Sequence, residues 1–280
     1  MTKRVVKIYD TTLRDRLRNS GAILSLDQKI QVARQLEVLR VDAIKVGDGG
    51  PSQIEAMQAI AQAVSEPVVF GLSRVNLKDV RRMLQSVEPA KKPGINVFIP
   101  TSDIFLDKMG LSRQQAVDAI GKTVEYARQY LDCIVVSAQD VARSDPDCQV
   151  ELCRAVCAAG AVALSLADTT GQAVPHQFGP LCGTIRERVA GRDAVTSNVH
   201  CHNDLGLGLT NRLAAVEHGV PQVECTLTGI RERAGNTPLE EVVTALTARL
   251  DAFSGLSTNV VTEQLAPSSQ LLARLTGLPA

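Results

Sequence analysis

Two histidines separated by one residue, His200 and His202, are the side chains of this sequence best suited to chemistry. On a β-strand, side chains two positions apart point to the same side, so both imidazoles can reach one metal ion. The segment before them, residues 193–199, is compatible with a short strand. Near the other end of the chain, the motif DTTLRD at residues 10–15 supplies carboxylates. Together these groups predict metal-assisted chemistry on a small, oxygen-rich substrate.

These side chains need a scaffold, and the sequence alternates between strand-like and helical segments. Predicted strands cover residues 5–9, 43–46, 68–71, 95–99, 133–137, 163–167, 197–201 and 223–227. Amphipathic stretches predict helices near 26–39, 53–64, 76–85, 113–130, 147–159, 175–189, 207–218 and 238–250. In the last of these, Thr237 is predicted as the N-cap, Pro238 as N1 and Glu240 as N3.

Eight such alternations in about 250 residues predict a parallel (β/α)8 TIM barrel, in the α/β class. A doubly wound open sheet is the rival, but no GxGxxG phosphate loop follows the first strand. A barrel places its active site where the strands end. The chemically suggestive residues all fall at such ends or in the loops that follow: Lys45, Arg74, Ser137, Gln139, Thr169, His200, His202 and Asn236. This shared rim predicts a single site.

Composition excludes some classes of function. The chain has 30 basic and 30 acidic residues, and only three Tyr, five Phe and no Trp, which argues against a nucleic-acid partner. No secretory segment and no apolar run of membrane-spanning length are evident, so we expect a cytoplasmic protein without a membrane partner. Seven cysteines without a CxxC pair are typical of reduced thiols.

Three motifs carry a resemblance to a known family: DTTLRD at 10–15, HCHNDLG at 200–206 and ERAGN at 232–236. The chain resembles the barrel domain of the isopropylmalate, homocitrate and citramalate synthases, over roughly residues 5 to 277. These synthases belong to a metal-dependent TIM-barrel superfamily that also contains HMG-CoA lyase. The lyases carry a cysteine in the loop after the eighth strand, whereas residues 228–236 have none and are similar to the synthase version.

The resemblance implies an acyltransferase that joins an acyl-CoA, with acetyl-CoA expected first, to a 2-oxoacid and yields a 2-substituted malate. It implies that a divalent metal, Mg²⁺, Mn²⁺ or Zn²⁺, binds Asp15, His200, His202 and Asn236. Arg14 would stabilise the developing oxyanion, and Thr169 would bind the oxoacid carboxylate. Further candidates for substrate binding are Arg16, Lys45, Arg74 and Ser137.

The chain departs from the family pattern at several rim positions. Lys45 stands where an acidic residue is expected, and Gln139, kept as a candidate catalytic residue, stands where a glutamate is expected. Arg16, Arg18 and Arg231 are additional cations. Because glutamine cannot accept a proton, one candidate base is lost. The changes are interpreted either as adaptation to a more anionic oxoacid, which we favour, or as loss of the condensation. Lys45 closes an apolar strand, so it needs an anionic partner.

Residues 1–252 are predicted to form the barrel and residues 253–280 a short helical extension, with no second domain. A barrel that lacks the synthases' covering subdomains raises two alternatives: a lyase or aldolase that cleaves a hydroxy acid or an HMG-CoA-like substrate, and a catalytically silent barrel subunit. The resemblance also implies a homodimer, and a partner chain that supplies the missing lid is a further hypothesis.

Overall fold

The computed structural model describes residues 4–14, 23–47, 50, 53–189, 196–249, 251–253 and 255–278. Its strands are β1 (Arg4–Val5), β2 (Lys7–Asp10), β3 (Ala43–Gly47), β4 (Val68–Arg74), β5 (Pro93–Pro100), β6 (Cys133–Gln139), β7 (Ala163–Asp168), β8 (Thr196–Cys201), β9 (Gln222–Cys225) and β10 (Leu256–Ser257). Strands β2 to β9 pair in parallel, each with its neighbour, and close into a barrel. The predicted TIM barrel is therefore confirmed.

Helices follow the barrel strands and pack around them. They are α1 (Leu26–Val38), α2 (Ile54–Ala63), α3 (Leu77–Val87), α4 (Asp103–Met109), α5 (Arg113–Ala127), α6 (Pro146–Ala158), α7 (Pro175–Arg188), α8 (Gly208–Glu217), α9 (Leu239–Ala248) and α10 (Leu265–Thr276). In the described part of the chain, no helix combines the length and the apolar character that a membrane crossing requires.

The first predicted strand is divided in the structure. Residues 7–10 enter the barrel as β2, whereas Arg4–Val5 pairs with Leu256–Ser257 in a separate two-stranded sheet. The short helix α4 was not predicted. These differences leave the barrel order unchanged, since each barrel strand lies within a few residues of its predicted position.

The predicted N-terminus of α9 is wrong by one residue. Pro238, and not Thr237, is the N-cap, and it makes no side-chain capping bond. The hydroxyl of Thr237 instead accepts a hydrogen bond from the buried Arg212 guanidinium. The Thr237 carbonyl accepts from the backbone N–H of Thr226, so this residue continues an extended segment and cannot begin the helix.

Side chains of the barrel strands point alternately outward to the helices and inward to the barrel interior. Outward-facing residues such as Ile44, Val199 and Cys201 join the large apolar core between the barrel wall and the helices. A smaller apolar cluster that includes Tyr9 and Phe70 fills the barrel interior. Polar inward-facing residues lie closer to the carboxyl ends of the strands, where they line a cavity.

Candidate active site

A cavity at the carboxyl ends of the barrel strands brings most of the predicted site together. Its described lining comprises Arg14, Lys45, Leu72, Asn96, Phe98, Ser137, Gln139, Ala167, Thr169, His200, His202, Glu224 and Arg231. Seven of the predicted site residues are among them. His200 and His202 lie on the same face, as the strand period of two predicted, and their ring centroids are 5.0 Å apart.

Of the other four predicted site residues, two are described by the structure, and neither of these two lines the cavity. Asp15 and Arg16 lie outside the described residues. Arg74 is 69% exposed in its side chain and pairs with Asp79 of α3 at 2.6 Å, so the structure places it away from the cavity. Asn236 is buried behind the cavity wall.

Glu224 is the centre of a buried polar network inside the barrel. Its Oε2 accepts hydrogen bonds from Lys45 Nζ and from His200 Nδ1, each at 3.0 Å. Its Oε1 accepts from Ser165 Oγ at 2.8 Å and from Asn198 Nδ2 at 3.3 Å. The anionic partner that Lys45 was expected to need is therefore Glu224. This ion pair fixes the carboxylate directly against His200.

Burial and charge both shift the pKa values in this network. Burial alone would raise the pKa of the Glu224 carboxyl, but Lys45 and His200 hold that pKa well below its usual range. Burial lowers the pKa of Lys45 to about 8, and Glu224 opposes this shift. Burial, together with the charge of Arg231, lowers the pKa of His200 to about 3. Around neutral pH, His200 is a neutral imidazole beside a charged carboxylate.

His202 is held by an arginine rather than by a carboxylate. Arg233 Nη2 lies 2.5 Å from His202 Nδ1. The same guanidinium pairs with Asp204 and donates to the Thr169 carbonyl at 2.9 Å. Burial lowers the pKa of His202, and the neighbouring His200 and arginines lower it further. His202 is therefore also neutral, but in a different setting.

Asn236 is part of a second buried arrangement around Arg212. Its side-chain oxygen accepts from Arg212 Nη2 and, at 2.8 Å, from the backbone N–H of Thr237. The Arg212 guanidinium, fully buried, also donates to the carbonyls of Cys201 and Glu224. The oxygen predicted as a metal ligand is thus engaged in fixing the loop after β9 to the neighbouring strands.

The remaining lining residues present neutral polar groups. Ser137 Oγ and Asn96 exchange hydrogen bonds at 3.0 and 3.1 Å, so the serine is oriented by the asparagine. Thr169 Oγ1 accepts from the backbone N–H of Asp140 at 3.0 Å, an arrangement in which the hydroxyl proton can be donated to a ligand. Gln139 anchors Thr101 through its main-chain oxygen while its side chain lines the cavity.

The described residues fit a divalent cation only in part. His200 Nε2 is buried and has no hydrogen-bond partner among the residues that the structure describes, as a metal-binding nitrogen should. By contrast, Arg233 occupies His202 Nδ1 and Arg212 occupies the Asn236 oxygen. Within the described ranges, no three His, Cys, Asp or Glu side chains form a metal-binding cluster, and Asp15 lies outside those ranges.

Sequence reasoning missed Glu224, Asn96, Arg212 and Arg233 as parts of the site. For Glu224 a signal existed, because an acidic residue within a predicted strand is the kind of partner that Lys45 requires. Arg212 gave no such signal, since an arginine in an amphipathic helix normally faces solvent. Its burial depends on the backbone carbonyls that β8 and β9 present to α8.

Comparison with known proteins places this barrel in a family. The model of the HMGL-like family matches residues 5–272. The chain belongs to the HMGL-like family. HMGL-like enzymes depend on a divalent metal.

Two similar curated proteins are 2-isopropylmalate synthases. The chain is 43% identical over 275 residues to the 2-isopropylmalate synthase of Aromatoleum aromaticum, covering 97% of this chain and 54% of that protein. It is 41% identical over 280 residues to the 2-isopropylmalate synthase of Dechloromonas aromatica, covering 99% and 54%. The chain thus spans about half the length of the curated relatives it matches.

Solved structures of the HMGL-like fold also match. An HMG-CoA lyase from Acinetobacter baumannii, in complex with coenzyme A and 3-methylmalate, superposes with a TM-score of 0.82 at 21% identity, covering 99% of this chain and 93% of that chain. At this level of identity the likeness shows the fold alone.

Proposed function

We propose that this chain is the catalytic barrel of a condensing acyltransferase that joins acetyl-CoA to a 2-oxoacid. The observation that carries the proposal is the identity of 41–43% to 2-isopropylmalate synthases over nearly the whole chain. The lyase alternative rests on structures about 20% identical, and the synthase relatives disfavour it. The cavity also retains Arg14, Thr169 and both histidines, which disfavours a silent barrel.

In the proposed reaction, the methyl group of acetyl-CoA loses a proton to solvent and the resulting enolate attacks the keto carbon of the oxoacid. The alkoxide formed there then takes up a proton. Water then hydrolyses the thioester and releases the CoA thiol. Arg14, whose guanidinium lines the cavity, stabilises the negative charge that develops on the keto oxygen. The Thr169 hydroxyl donates to the oxoacid carboxylate, since its oxygen already accepts from Asp140.

His200 and His202 are the proposed metal ligands, together with Asp15, which lies outside the described residues. The divalent cation, when bound, would supply Lewis-acid polarisation of the substrate carbonyl. Mg²⁺ and Mn²⁺ suit a mixed carboxylate and imidazole set, as does Zn²⁺. Asn236 is left out of the proposed set because its oxygen is engaged by Arg212.

The charge of the cavity favours an oxoacid that carries a second anionic group. Its described lining contains the cations Arg14, Lys45 and Arg231 and the carboxylate Glu224. Lys45 is paired with Glu224, so its charge is largely compensated inside the wall. Arg231 is also paired, with Glu232 at 3.5 Å, and Arg14 lines the cavity beside it, so the described lining carries three cations against one carboxylate. We therefore propose a dicarboxylate or phosphonate oxoacid as the acceptor.

A thiol-release assay tests both parts of this proposal. Acetyl-CoA, Mg²⁺ or Mn²⁺ and a panel of oxoacids would be supplied: a branched monocarboxylate, oxaloacetate, 2-oxoglutarate and phosphonopyruvate. We expect CoA release that needs both the oxoacid and the cation, and a higher kcat/KM with the doubly anionic acceptors. Absence of release from the whole panel contradicts the synthase proposal, and a preference for the monocarboxylate contradicts only the choice of acceptor.

Replacement of Arg14 by methionine tests the role of its guanidinium. Because this group acts on charge present only in the transition state, we expect kcat to fall by about 10²–10³-fold. The affinity for Mn²⁺, measured by titration calorimetry, should stay within a few-fold. A higher KM for the oxoacid with an unchanged kcat would contradict the assignment.

A further inference from the structure

The two cavity histidines receive opposite kinds of hydrogen-bond partner. His200 Nδ1 faces Glu224 Oε2 at 3.0 Å. A carboxylate can only accept, so the proton of a neutral His200 ring must lie on Nδ1. Its Nε2 then carries the lone pair and faces the cavity, where no described residue bonds to it. Lys45, Ser165 and Asn198 hold the Glu224 carboxylate in place.

His202 has the reverse arrangement. Its Nδ1 faces Arg233 Nη2 at 2.5 Å, and a guanidinium has no lone pair to offer. Nδ1 must therefore be the accepting nitrogen, and the proton of the neutral ring must lie on Nε2. A doubly protonated ring is excluded by the same contact, because it would set two N–H donors against each other.

Arg233 is held in place by an ion pair and further hydrogen bonds. It also donates from Nε to Asp204 Oδ1 at 2.7 Å and from Nη2 to Asp204 Oδ2 at 3.0 Å, and Nη2 reaches the Thr169 carbonyl. Its backbone φ of 58° lies in the left-handed region, which side-chain-bearing residues adopt at a cost. The left-handed backbone and the Asp204 ion pair place the guanidinium against His202, and the two hydrogens of Nη2 are shared among Asp204 Oδ2, the Thr169 carbonyl and His202 Nδ1.

We propose that Glu224 and Arg233 hold His200 and His202 in opposite tautomers, and that Arg233 must release His202 before both rings can bind one divalent cation. The first half stands on the contacts alone, and the second half rests on the proposed function. With Nδ1 accepting from Arg233, neither His202 nitrogen can offer a lone pair to a cation. Arg233 is thus a positioning residue that opposes loading of the cation.

Release of His202 by Arg233 would also change the contacts of the neighbouring Thr169. Arg233 spans from His202 to the Thr169 carbonyl, and Thr169 is the proposed partner of the oxoacid carboxylate. When the guanidinium leaves the ring, Asp204 remains as its ionic partner. Cation binding and the arrangement of the loop after β7 are therefore coupled through one side chain.

Nitrogen NMR of the imidazole rings tests the tautomers directly. The chain contains only four histidines, so histidine labelled with ¹⁵N in both ring positions gives few signals. Protonated and unprotonated ring nitrogens differ strongly in chemical shift. In metal-free protein we expect Nδ1 protonated in His200 and Nε2 protonated in His202. A proton on Nδ1 of His202 overturns the proposal.

Titration with Zn²⁺, a closed-shell ion, then tests the release. We expect the nitrogens of both rings to shift, with His202 losing its metal-free pattern. If only His200 shifts, the release by Arg233 is wrong. If neither ring shifts, the metal site of the proposed function is wrong, while the opposite tautomers, read from the metal-free spectrum, stand.

Three variants separate the role of Arg233 from general damage. Arg233→Met should free the His202 tautomer and tighten Zn²⁺ binding about tenfold in titration calorimetry. Arg233→Lys, which keeps a donor, should restore part of the parent spectrum. Arg249→Met removes an exposed arginine that does not line the cavity and should leave the His202 tautomer unchanged. Equal or weaker Zn²⁺ binding in Arg233→Met, with a parent-like His200 signal as the sign of an intact barrel, overturns the release.

Discussion

At the scale of single residues, the site depends on the charge balance around Glu224. Its carboxylate is buried, as is the Lys45 ammonium, with both side chains 2% exposed. Removing both charges from water is costly, and their mutual attraction offsets that cost only while both are present. Lys45 is therefore better understood as the counter-ion of Glu224 than as a substrate-binding cation. This revises the interpretation that counted Lys45 among the groups selecting an anionic substrate.

Replacement of Lys45 by methionine should lower the free energy of unfolding by about 3 kcal/mol, because Glu224 loses its counter-ion. The double variant Lys45→Met/Glu224→Gln should lose less than the sum of the two single losses. Urea denaturation of the four proteins in this cycle measures the coupling. Additive losses would show that the ion pair does not stabilise the barrel.

Gln139 gives a test of substrate charge at the same scale. Gln139→Glu adds a carboxylate to the cavity lining, so it should raise KM for a doubly anionic oxoacid about tenfold, equal to about 1.4 kcal/mol. KM for a monocarboxylate oxoacid serves as the matched control and should change less. Equal changes for the two substrates would argue against a second anionic group near residue 139.

At the scale of elements, buried polar contacts fix the loop that carries Arg14. Thr12 donates through its N–H and its hydroxyl to Asp10, each at 2.9 Å, and its hydroxyl accepts from the N–H of Leu227. The loop after β2 is thereby tied to the loop after β9. Burial raises the pKa of the Asp10 carboxyl to about 7, although the two Thr12 bonds oppose the rise.

Asp10 should make stability depend on pH. Its pKa is about 7 in the folded protein against 3.8 in the reference state, so the folded state binds more protons between these values. Stability from Asp10 is therefore present below about pH 4 and is lost as pH rises to about 7. Relative to Asp10→Asn, the parent should lose about 3 kcal/mol between pH 4.5 and 7.5. Urea denaturation at both values checks this, and a constant difference contradicts it.

The periodic elements could be predicted from sequence, and the exceptions have local causes. The barrel strands follow from buried β-branched runs, and the shared face of His200 and His202 follows from the strand period of two. Helix α4 has only seven residues, too few for a helical period to be evident. The N-cap of α9 was misplaced because Arg212, distant in sequence, claims the Thr237 hydroxyl.

At the scale of the whole molecule, the C-terminal segment is bound to the barrel at several points. Gln35 of α1 donates to Ser268 at 3.0 Å, and Ser269 donates to Glu240 of α9. Leu272 of α10 is buried in the main apolar core. Helix α10 is therefore packed as part of the barrel's outer layer. The predicted division of the chain at residue 252 and the predicted homodimer stay predictions.

Truncation of Leu272 to alanine tests this packing. The change leaves a cavity in the shared core, so the free energy of unfolding should fall by about 3 kcal/mol in a single cooperative transition. Gln270→Ala, on the exposed side of the same helix, is the matched control and should change it little. Loss of α10 helicity in a separate earlier transition would show that the segment folds independently.

Closure of the barrel explains why the site was only partly predictable. Local spacing places His200 beside His202, but it cannot reveal that Lys45 and Glu224, 179 positions apart, meet inside the wall. That contact exists because β3 and β9 both flank β2 in the closed ring. The pairing of Lys45 with Glu224 is therefore a result of the strand order in the barrel and not of a local sequence motif.

The Lys45–Glu224 pair also constrains how this gene can change over generations. A mutation at either codon alone leaves one buried charge uncompensated next to His200. Descendants that keep a working barrel should therefore retain both residues or replace both within a short interval. An acidic residue at position 45 is compatible with a folded barrel only after the residue at position 224 has lost its negative charge. The order of these two events, more than their chemistry, would decide which ancestors this chain can have had.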